Sequence, residues 1–368
     1  MKIVVTGAKG FIGKNLCIML RESGYTDIIE VDRETTQDQL AETLRDADFV
    51  YHLAGINRPK NEVEFQQGNA DLTNFIVEQL TNSHKKVPLV VSSSTQAERD
   101  NAYGLSKRLA EQAVELYGKE TQSSYFIYRF PNVFGKWCRP NYNSFVATFC
   151  HNTLNNLDIT IHDPYAPVTL VYIDDVCAHL IALLEGDSES GYKSVVPEYL
   201  TTVGEVADLL RAFKESRGNL VTENVGTGLT RALYSTYLSY MAPEQFSYSI
   251  PSYGDERGVF SEMLKTKQAG QFSFFTAHPS ITRGGHYHHS KNEKFLVLKG
   301  KARFKFEHIA TGERYELYTD GSSPEIVETV PGWSHDITNI GDDEMIVMLW
   351  ANETFDREAP DTFARPLT

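Results

Sequence analysis

Cysteine is scarce in this chain. Only four of the 368 residues are cysteine, at Cys17, Cys138, Cys150 and Cys177, and none sit at C-x-x-C spacing. That excludes a disulfide framework and a thiolate metal site, and reads as scattered buried thiols of a reducing compartment. Positive charge is short as well. Lys and Arg number 35 against 49 Asp and Glu, a net charge of −14. Such an excess of acid argues against a nucleic-acid or membrane-surface partner, with only a local basic groove left open. No apolar run reaches the roughly 18 residues of a membrane span. Internal repeats and low-complexity segments are absent. Met1-Lys2 leads straight into an apolar run, so no room is left for a signal peptide and a cytoplasmic protein is expected.

A chain of this length exceeds one typical core, so two domains are expected. The first opens with a short apolar run, Lys2 to Val5, then Thr6-Gly7-Ala8-Lys9-Gly10-Phe11-Ile12-Gly13, then the helical pattern Leu16, Met19, Leu20. Strand, glycine loop and helix are the context a dinucleotide-binding motif needs. Gly7 makes the tight turn, Gly10 lets the backbone approach a pyrophosphate, and Gly13 lets the helix pack close to the strand. The helix N-terminus offers N–H groups to the anion. A second strand, Ile28 to Val31, ends in Asp32-Arg33. An acid about 20 residues past the loop binds an adenosine ribose. Arg33 and Lys9 beside it suit a 2′-phosphate, which favours NADPH, with NADH as the alternative. Phe49 to Leu53 is a strand running into the small turn Ala54-Gly55, again able to approach the cofactor. His52 reads as a packed histidine rather than a catalyst.

Tyr103 and Lys107 lie four residues apart in Tyr103-Gly104-Leu105-Ser106-Lys107, on one face of a helix. A lysine one turn away favours the phenolate and should lower the tyrosine pKa from its ordinary value of about 10. The tuned hydroxyl can pass a proton to a carbonyl oxygen while hydride reaches the carbon. Upstream, Ser92-Ser93-Ser94 ends the apolar run Val87 to Val91, and a hydroxyl there can hold the same oxygen. Val203 to Phe213 has helical period, 214–230 reads as a polar, glycine-bearing connection, and Tyr234 to Tyr240 as the final helix. Met241 to Pro251 reads as a linker.

From Tyr253 the period changes to two. Short alternating segments follow: Phe272 to Ala277, Phe295 to Lys299, Ala302 to Phe306, Arg314 to Tyr318, Ile326 to Val330 and Met345 to Trp350. Turn residues separate them, the pattern of an all-β sandwich or barrel. His286 and His288 alternate and so share a face. Glu293 opens the next strand, and His335 can add a third imidazole from across the barrel. Three imidazoles and a carboxylate suit zinc or another divalent metal. His289 and His308 fall outside this pattern.

T-G-x-x-G-F-I-G, H-L-A-G, S-S-S and Y-G-x-S-K, in this order, resemble the extended short-chain dehydrogenase/reductase family. Arg129 to Gly135 and Val171 to Val176 fit the same pattern. The resemblance implies an α/β, Rossmann-like doubly wound parallel sheet acting on a nucleotide-linked sugar. It implies Ser94, Tyr103 and Lys107 as the catalytic set and Gly7, Lys9, Gly10, Phe11, Ile12, Gly13, Asp32, Arg33, Leu53, Ala54 and Gly55 about the cofactor. The substrate would be bound from Asn132 onward. Only eight residues separate Ser94 from Tyr103, a shorter loop than many relatives have, which makes Ser93 a rival for Ser94.

His286, His288, Glu293 and Gly300, followed by Pro331-Gly332, His335 and Asn339, are similar to the metal-binding cupin pattern, except that no glycine stands six residues before His286. Asp255 to Glu262 and Arg283-Gly284-Gly285-His286-Tyr287 resemble the deoxysugar 3,5-epimerase branch of the cupins, which implies Arg283 in substrate binding and the histidine at 286 as a metal-free base. A metal would take that lone pair, and the base would then be Tyr287, Lys294 or solvent at the metal. The whole chain resembles bifunctional capsular-polysaccharide enzymes. That implies a reductase domain over 1–243, a linker over 244–251 and a cupin over 252–368, acting as a homodimer. The implied substrate is a UDP-linked 2-acetamido-2,6-dideoxy-4-hexulose, inverted at C3 and then reduced at C4 to UDP-N-acetyl-6-deoxy-L-talosamine. The alternatives are a reductase whose cupin only binds sugar or joins a dimer, and a non-catalytic NADPH sensor.

Overall fold

The computed structural model describes the chain except residues 187, 256, 257, 262, 267–269 and 354–357, and describes the backbone alone at 252–255, 258–261 and 271. It divides into two compact units. One comprises Met1–Phe134, Asn141–Ser144 and Thr169–Leu200; the other comprises Gly135–Pro140, Phe145–Val168 and Thr201–Thr368.

The first unit is built on a parallel sheet. Strands β1 (Ile3–Thr6), β2 (Ile28–Val31), β3 (Phe49–His52), β4 (Leu89–Ser94) and β5 (Tyr125–Phe130) are joined at the edge by Gly191–Lys193, in the order β2-β1-β3-β4-β5 and then that edge strand. All four residues of β1 and of β3 are buried, as expected where helices cover both faces of a parallel sheet. Helix α1 (Phe11–Glu22) buries Leu16, Cys17 and Leu20 along one stripe. Helix α2 (Gln37–Arg45) starts at a capping box formed by Thr36 and Gln39. Val4, Val50, Leu89, Val91 and Ile127 from the strands close on Leu40, Leu44, Ile76 and Leu80 from the helices. The chain leaves β1 toward β2 on one side and β3 on the other, so a crevice opens at the carboxyl end of β1.

In the second unit two antiparallel five-stranded sheets face one another. One runs Ser247–Ser249, Glu325–Glu328, Glu293–Lys299, Met345–Ala351, Gln271–Ala277; the other runs Arg314–Asp320, Lys301–His308, Trp333–Asn339, Thr282–Tyr287, Phe363–Ala364. Phe295 of the first meets Phe304 of the second at 5.7 Å between ring centres. Every segment expected as a strand carries one, although that expected from Ile326 to Val330 ends at Glu328. Thr282–Tyr287 and Trp333–Asn339, which carry histidines, are strands too.

Three expectations need correction. The stretch read as a linker supplies the edge strand Ser247–Ser249, because Phe246 is fully buried against Phe306 and Trp333 and pulls it onto the sheet. The helix from Val203 runs on to Asn219, past the polar residues read as a connection, because Ser216 is buried and Arg217 has a carboxylate partner in Glu328. The last helix begins earlier, at Gly228, and ends at Leu238. Residues 201–251 accordingly belong to the compact unit of the two β-sheets. Among the described residues, no helix is long and apolar enough to cross a membrane.

Candidate active sites

The glycine loop sits at the crevice. Gly7 takes a positive φ of 69°, and a Cβ there would lie 2.7 Å from the Ala54 nitrogen. The loops after β1 and β3 therefore meet backbone to backbone, which explains the small turn Ala54-Gly55. A Cβ on Gly13 would fall 2.2 Å from the Gly7 carbonyl oxygen, so the helix can approach only with glycine at that position. Gly10 caps α1 without a side-chain bond, and no acid stands in the first turn, so Phe11, Ile12 and Gly13 present backbone to an anion. These features fit a dinucleotide pyrophosphate. At the end of β2, Lys9 ion-pairs with Asp32 and lies 3.7 Å from Glu34. Asp32 also accepts the Glu34 N–H at 2.8 Å, and the Lys9 bond with these backbone bonds holds its carboxyl below the usual range. Arg33 is exposed beside this pair. His52 bridges Thr6 and Thr73 at 2.7 and 2.9 Å, and burial lowers its pKa to about 3. It is a neutral, fully bonded core residue.

Ser94 closes β4, and the short loop to Tyr103 is taken up by a single 3-10 turn, Thr95–Glu98. Asn101 caps the next helix, Ala102–Thr121, by accepting the Gly104 N–H at 2.8 Å. Gly104 is needed because a Cβ there would lie 2.3 Å from the Arg99 carbonyl oxygen. Tyr103 lies close enough to Ser94 for that hydroxyl to favour its ionised form. Ser93 points the other way, donating to Glu111 in a buried network with Arg129. The geometry separates the two serines: Ser94 faces Tyr103, and Ser93 braces the sheet. Lys107 donates to the Ser92 carbonyl at 3.0 Å, and burial lowers its pKa to about 8. Burial raises the Tyr103 pKa, opposite to the direction expected from Lys107, because the ammonium stands 6.0 Å from the ring centre and is turned to a carbonyl.

Asn69 was not legible as part of this site. It lies in a π-helical turn, Gln66–Asp71. Its amide bonds Ile56 through both main-chain groups and the Ser106 hydroxyl at 3.0 Å. A Cβ on Gly55 would strike Asn69 at 2.8 Å and the Lys107 ammonium at 3.1 Å. Gly55, Asn69 and Lys107 thus form one tight contact. Asn132 is exposed and donates to the Thr169 carbonyl at 3.2 Å.

In the second unit one ligating atom from each of His286, His288, Glu293 and His335 lies within 4.8 Å of the others. His286 pairs with His335 across neighbouring strands. Position 280, where cupins carry the glycine missing here, is Ser280 at a positive φ of 65°, so the backbone turn is kept without it. A one-residue bulge at Gly284-Gly285 brings Arg283 onto the face of His286. There its guanidinium covers Phe275 at 4.9 Å. Burial, with His335 and His288 nearby, lowers the His286 pKa to about 4, and burial lowers that of His335. Both are neutral at pH 7, the form that ligates. Burial would raise Glu293, but the His288 and His335 imidazoles beside it hold it well below the usual range. Its other oxygen meets Lys291 at 2.9 Å. Neither ring nitrogen of His335 has a well-formed hydrogen bond, and Nε2 lies 3.5 Å from the Glu293 carboxylate. A buried set of three imidazoles and a carboxylate with an unsatisfied nitrogen fits a divalent metal.

Tyr287 and Lys294 do not join this cluster. Each is adjacent in a strand to an inward residue, so each points outward. Tyr287 stacks on Phe363, and Lys294 is buried in an ion pair with Glu328 beside Tyr248. Of the acidic signature at 255–262, Glu256, Arg257 and Glu262 lie outside the described residues. His289 turns to Phe363 and His308 to Trp137, away from the cluster.

A family model described as the NAD dependent epimerase/dehydratase family matches residues 3–196, more than half of the chain. The chain belongs to this family. A second model, the polysaccharide biosynthesis C-terminal domain, matches residues 253–363. A Pseudomonas aeruginosa PA103 protein described as UDP-2-acetamido-2,6-beta-L-arabino-hexul-4-ose reductase is 54% identical over 365 residues, 99% of this chain and 98% of its own. The crystal structure of capsular polysaccharide assembling protein CapF from Staphylococcus aureus is 41% identical, covers 100% of both chains and superposes with a TM-score of 0.68. A Thermotoga maritima UDP-glucose 4-epimerase solved with UDP-glucose matches 58% of this family member and 82% of its own chain, at 22% identity and TM-score 0.51. At that identity the likeness is one of fold.

Proposed function

We propose that the chain reduces the 4-keto group of a UDP-linked 2-acetamido-2,6-dideoxyhexulose with NADPH, after its second unit has inverted C3. The observation that carries this is Ser94 beside Tyr103 with buried Lys107 one turn on, in a chain that matches, over 99% of its length, an enzyme described as a reductase of such a sugar. NADPH would supply the hydride. Gly7, Gly10, Phe11, Ile12 and Gly13 would hold its pyrophosphate, Asp32 its ribose, Lys9 and Arg33 a 2′-phosphate, and Leu53, Ala54 and Gly55 would line its path. Ser94 would orient the ketone oxygen and Tyr103 would give it a proton. Lys107 would favour the phenolate left behind. A sensor role is less economical, since binding alone needs no such set. Asn132 is proposed to contact the sugar nucleotide.

In the second unit, of cupin type, His286, His288, Glu293 and His335 would hold zinc or another divalent metal. A Lewis acid there stabilises negative charge on an adjacent oxygen. A proton beside a ketone is removable because the carbanion delocalises onto oxygen, so inversion at C3 must precede loss of the ketone. Arg283 stands on the face of the cluster and is proposed to meet the diphosphate. Tyr287 and Lys294 point outward, which argues against either as the base. A homodimer in the cytoplasm completes the reading.

The test uses the keto sugar in D2O. With protein and no NADPH, proton NMR should report loss of the C3 proton; adding NADPH should then consume the ketone with matching loss of absorbance. NADPH oxidation without any C3 exchange would favour the reading in which the second unit only binds sugar or joins a dimer.

A further inference from the structure

His288 is the member of the metal cluster least fixed by regular structure. Its strand ends at Tyr287, and the next begins at Glu293. The turn between them, 288–292, must nevertheless hold two ligands in place. Its support comes from the far end of the chain. The carboxylate of Asp361 accepts the backbone N–H groups of His289, Ser290 and Lys291 at 2.9, 2.7 and 2.7 Å, and the Ser290 hydroxyl at 3.0 Å. Successive N–H groups converging on one anion form a nest. The same residue's main-chain carbonyl oxygen lies 2.5 Å from His288 Nδ1. A carbonyl only accepts, so Nδ1 carries the proton, which leaves Nε2, 3.2 Å from Glu293, as the ring nitrogen that would ligate.

The tail that carries Asp361 is tied down along the ligand strand. Phe363 and Ala364 pair with Tyr287 and His286, and the Arg365 N–H donates to the Gly285 carbonyl at 2.7 Å. The Ser334 hydroxyl donates to the Arg365 carbonyl at 2.6 Å, and the Arg365 guanidinium meets Glu307 at 2.8 Å.

We propose that Asp361 is a positioning residue for the metal centre, fixing the turn between His288 and Glu293 with its carboxylate and the tautomer of His288 with its carbonyl. This rests on the metal reading above. It predicts that metal affinity and geometry depend on a residue 26 positions beyond the last ligand in sequence, His335, and 68 beyond Glu293. An amide at 361 would present an NH2 donor to four donors already converging there, while a glutamate would retain the anion but move it.

The full chain is stripped with chelator and titrated with zinc against a chromogenic chelator, and with cobalt(II) read by its visible d–d bands. Wild type should bind one ion. Asp361→Asn should lose about 10–100-fold in affinity, the range for partners that orient metal-bound histidines, and shift the cobalt bands. Asp361→Glu should recover part of both. A merely structural aspartate would lower melting temperature and leave the cobalt bands and the zinc affinity within twofold of wild type; that result overturns the proposal. If the variants do not fold, long-range proton–nitrogen NMR of histidine-labelled wild-type zinc protein decides: His288 protonated at Nδ1 and metallated at Nε2 supports it, the reverse overturns it. Wild type that takes up neither metal overturns the metal reading and this one together; wild type that binds alongside unaltered Asp361→Asn overturns only the role of Asp361.

Discussion

The two candidate sites hold buried polar groups by opposite means. In the first unit Lys107 is buried against a neutral carbonyl and carries no direct carboxylate partner among its described hydrogen bonds. In the second, Glu293 answers Lys291 on one oxygen and His288 and His335 on the other. The first site is therefore poised for chemistry at the expense of stability, and the second couples its chemistry to the fold. They also differ in reach. Tyr103 and Lys107 sit on one helix and Ser94 eight residues upstream of it; the cluster of His286, His288, Glu293 and His335 joins three strands and a tail. Loss of one group in the first should stop a reaction in a folded protein. Loss of one in the second should be felt in metal content and melting as well.

Tyr103→Phe tests the first half of that contrast with the largest effect. NADPH oxidation with the keto sugar should fall by about 10²–10⁴-fold, the usual contribution of an acid–base group. Melting should be nearly unchanged and C3 exchange in D2O should persist. Wild-type reduction by this variant would remove Tyr103 from the mechanism.

Glu293→Gln tests the second half. The volume is kept and the charge lost, so Lys291 faces a neutral amide and the cluster loses its carboxylate. We expect metal content by elemental analysis to drop and the second unit to melt several degrees lower by calorimetry, since metal binding free energy is partly folding free energy. NADPH binding should be intact. Full metal content with unchanged melting would take Glu293 out of the ligand set. A metal-depleted but folded wild type adds a sharper reading: retained C3 exchange means the ion braces the sheets, and lost exchange means it polarises the ketone. We expect retention, because the metal-free epimerase-like branch that the sequence resembles carries out the same proton removal.

What could be read from sequence follows the same division. The glycine loop, Tyr103 and Lys107 are local patterns whose geometry is set by one turn or one helix, so spacing put each on its element, and the family resemblance suggested their roles. The alternating strands, and His286 beside His288, were legible for the same reason. Asn69 was not, because a π-helical turn has no distinctive spacing. Nor was the choice between Ser93 and Ser94, which depends on Glu111 and Arg129 reaching back to the sheet. Asp361 was invisible because its partners are backbone N–H groups some 70 residues away. The bulge that turns Arg283 onto the cluster face is written in Gly284-Gly285, but only the register shows which face results.

Lys107→Met probes the stability cost directly. The folded chain gives up the Lys107 proton near pH 8, whereas the unfolded chain keeps it to its ordinary 10.5. Between those values the unfolded state binds more protons, so stability rises with pH; below about 8 the burial penalty is present in full. At pH 7, without cofactor, Lys107→Met should therefore stabilise the chain by about 1–3 kcal/mol, less the lost bond to Ser92. The advantage should shrink as pH rises from 8 to 10.5. Chemical denaturation of both proteins across that range is the measurement. A variant less stable than wild type at pH 7 would mean that the Ser92 bond outweighs the burial of charge.

The smallest expected effect lies at the exposed rim of the first site, where neither burial nor fold is engaged. Arg33 is exposed, and Lys9 is already paired with Asp32. An exposed ion contact contributes on the order of 0–1 kcal/mol and is screened by salt. Arg33→Ala should then raise the KM for NADPH by about two- to fivefold, leave NADH nearly unchanged and leave melting alone. Lys9→Ala should act more strongly on the same difference, because it removes a cation and also leaves Asp32 to repel a 2′-phosphate. The NADPH disadvantage of both variants should shrink as ionic strength rises. Equal losses for the two cofactors would mean that Arg33 does not meet a 2′-phosphate, and that Asp32 reads the ribose of either one.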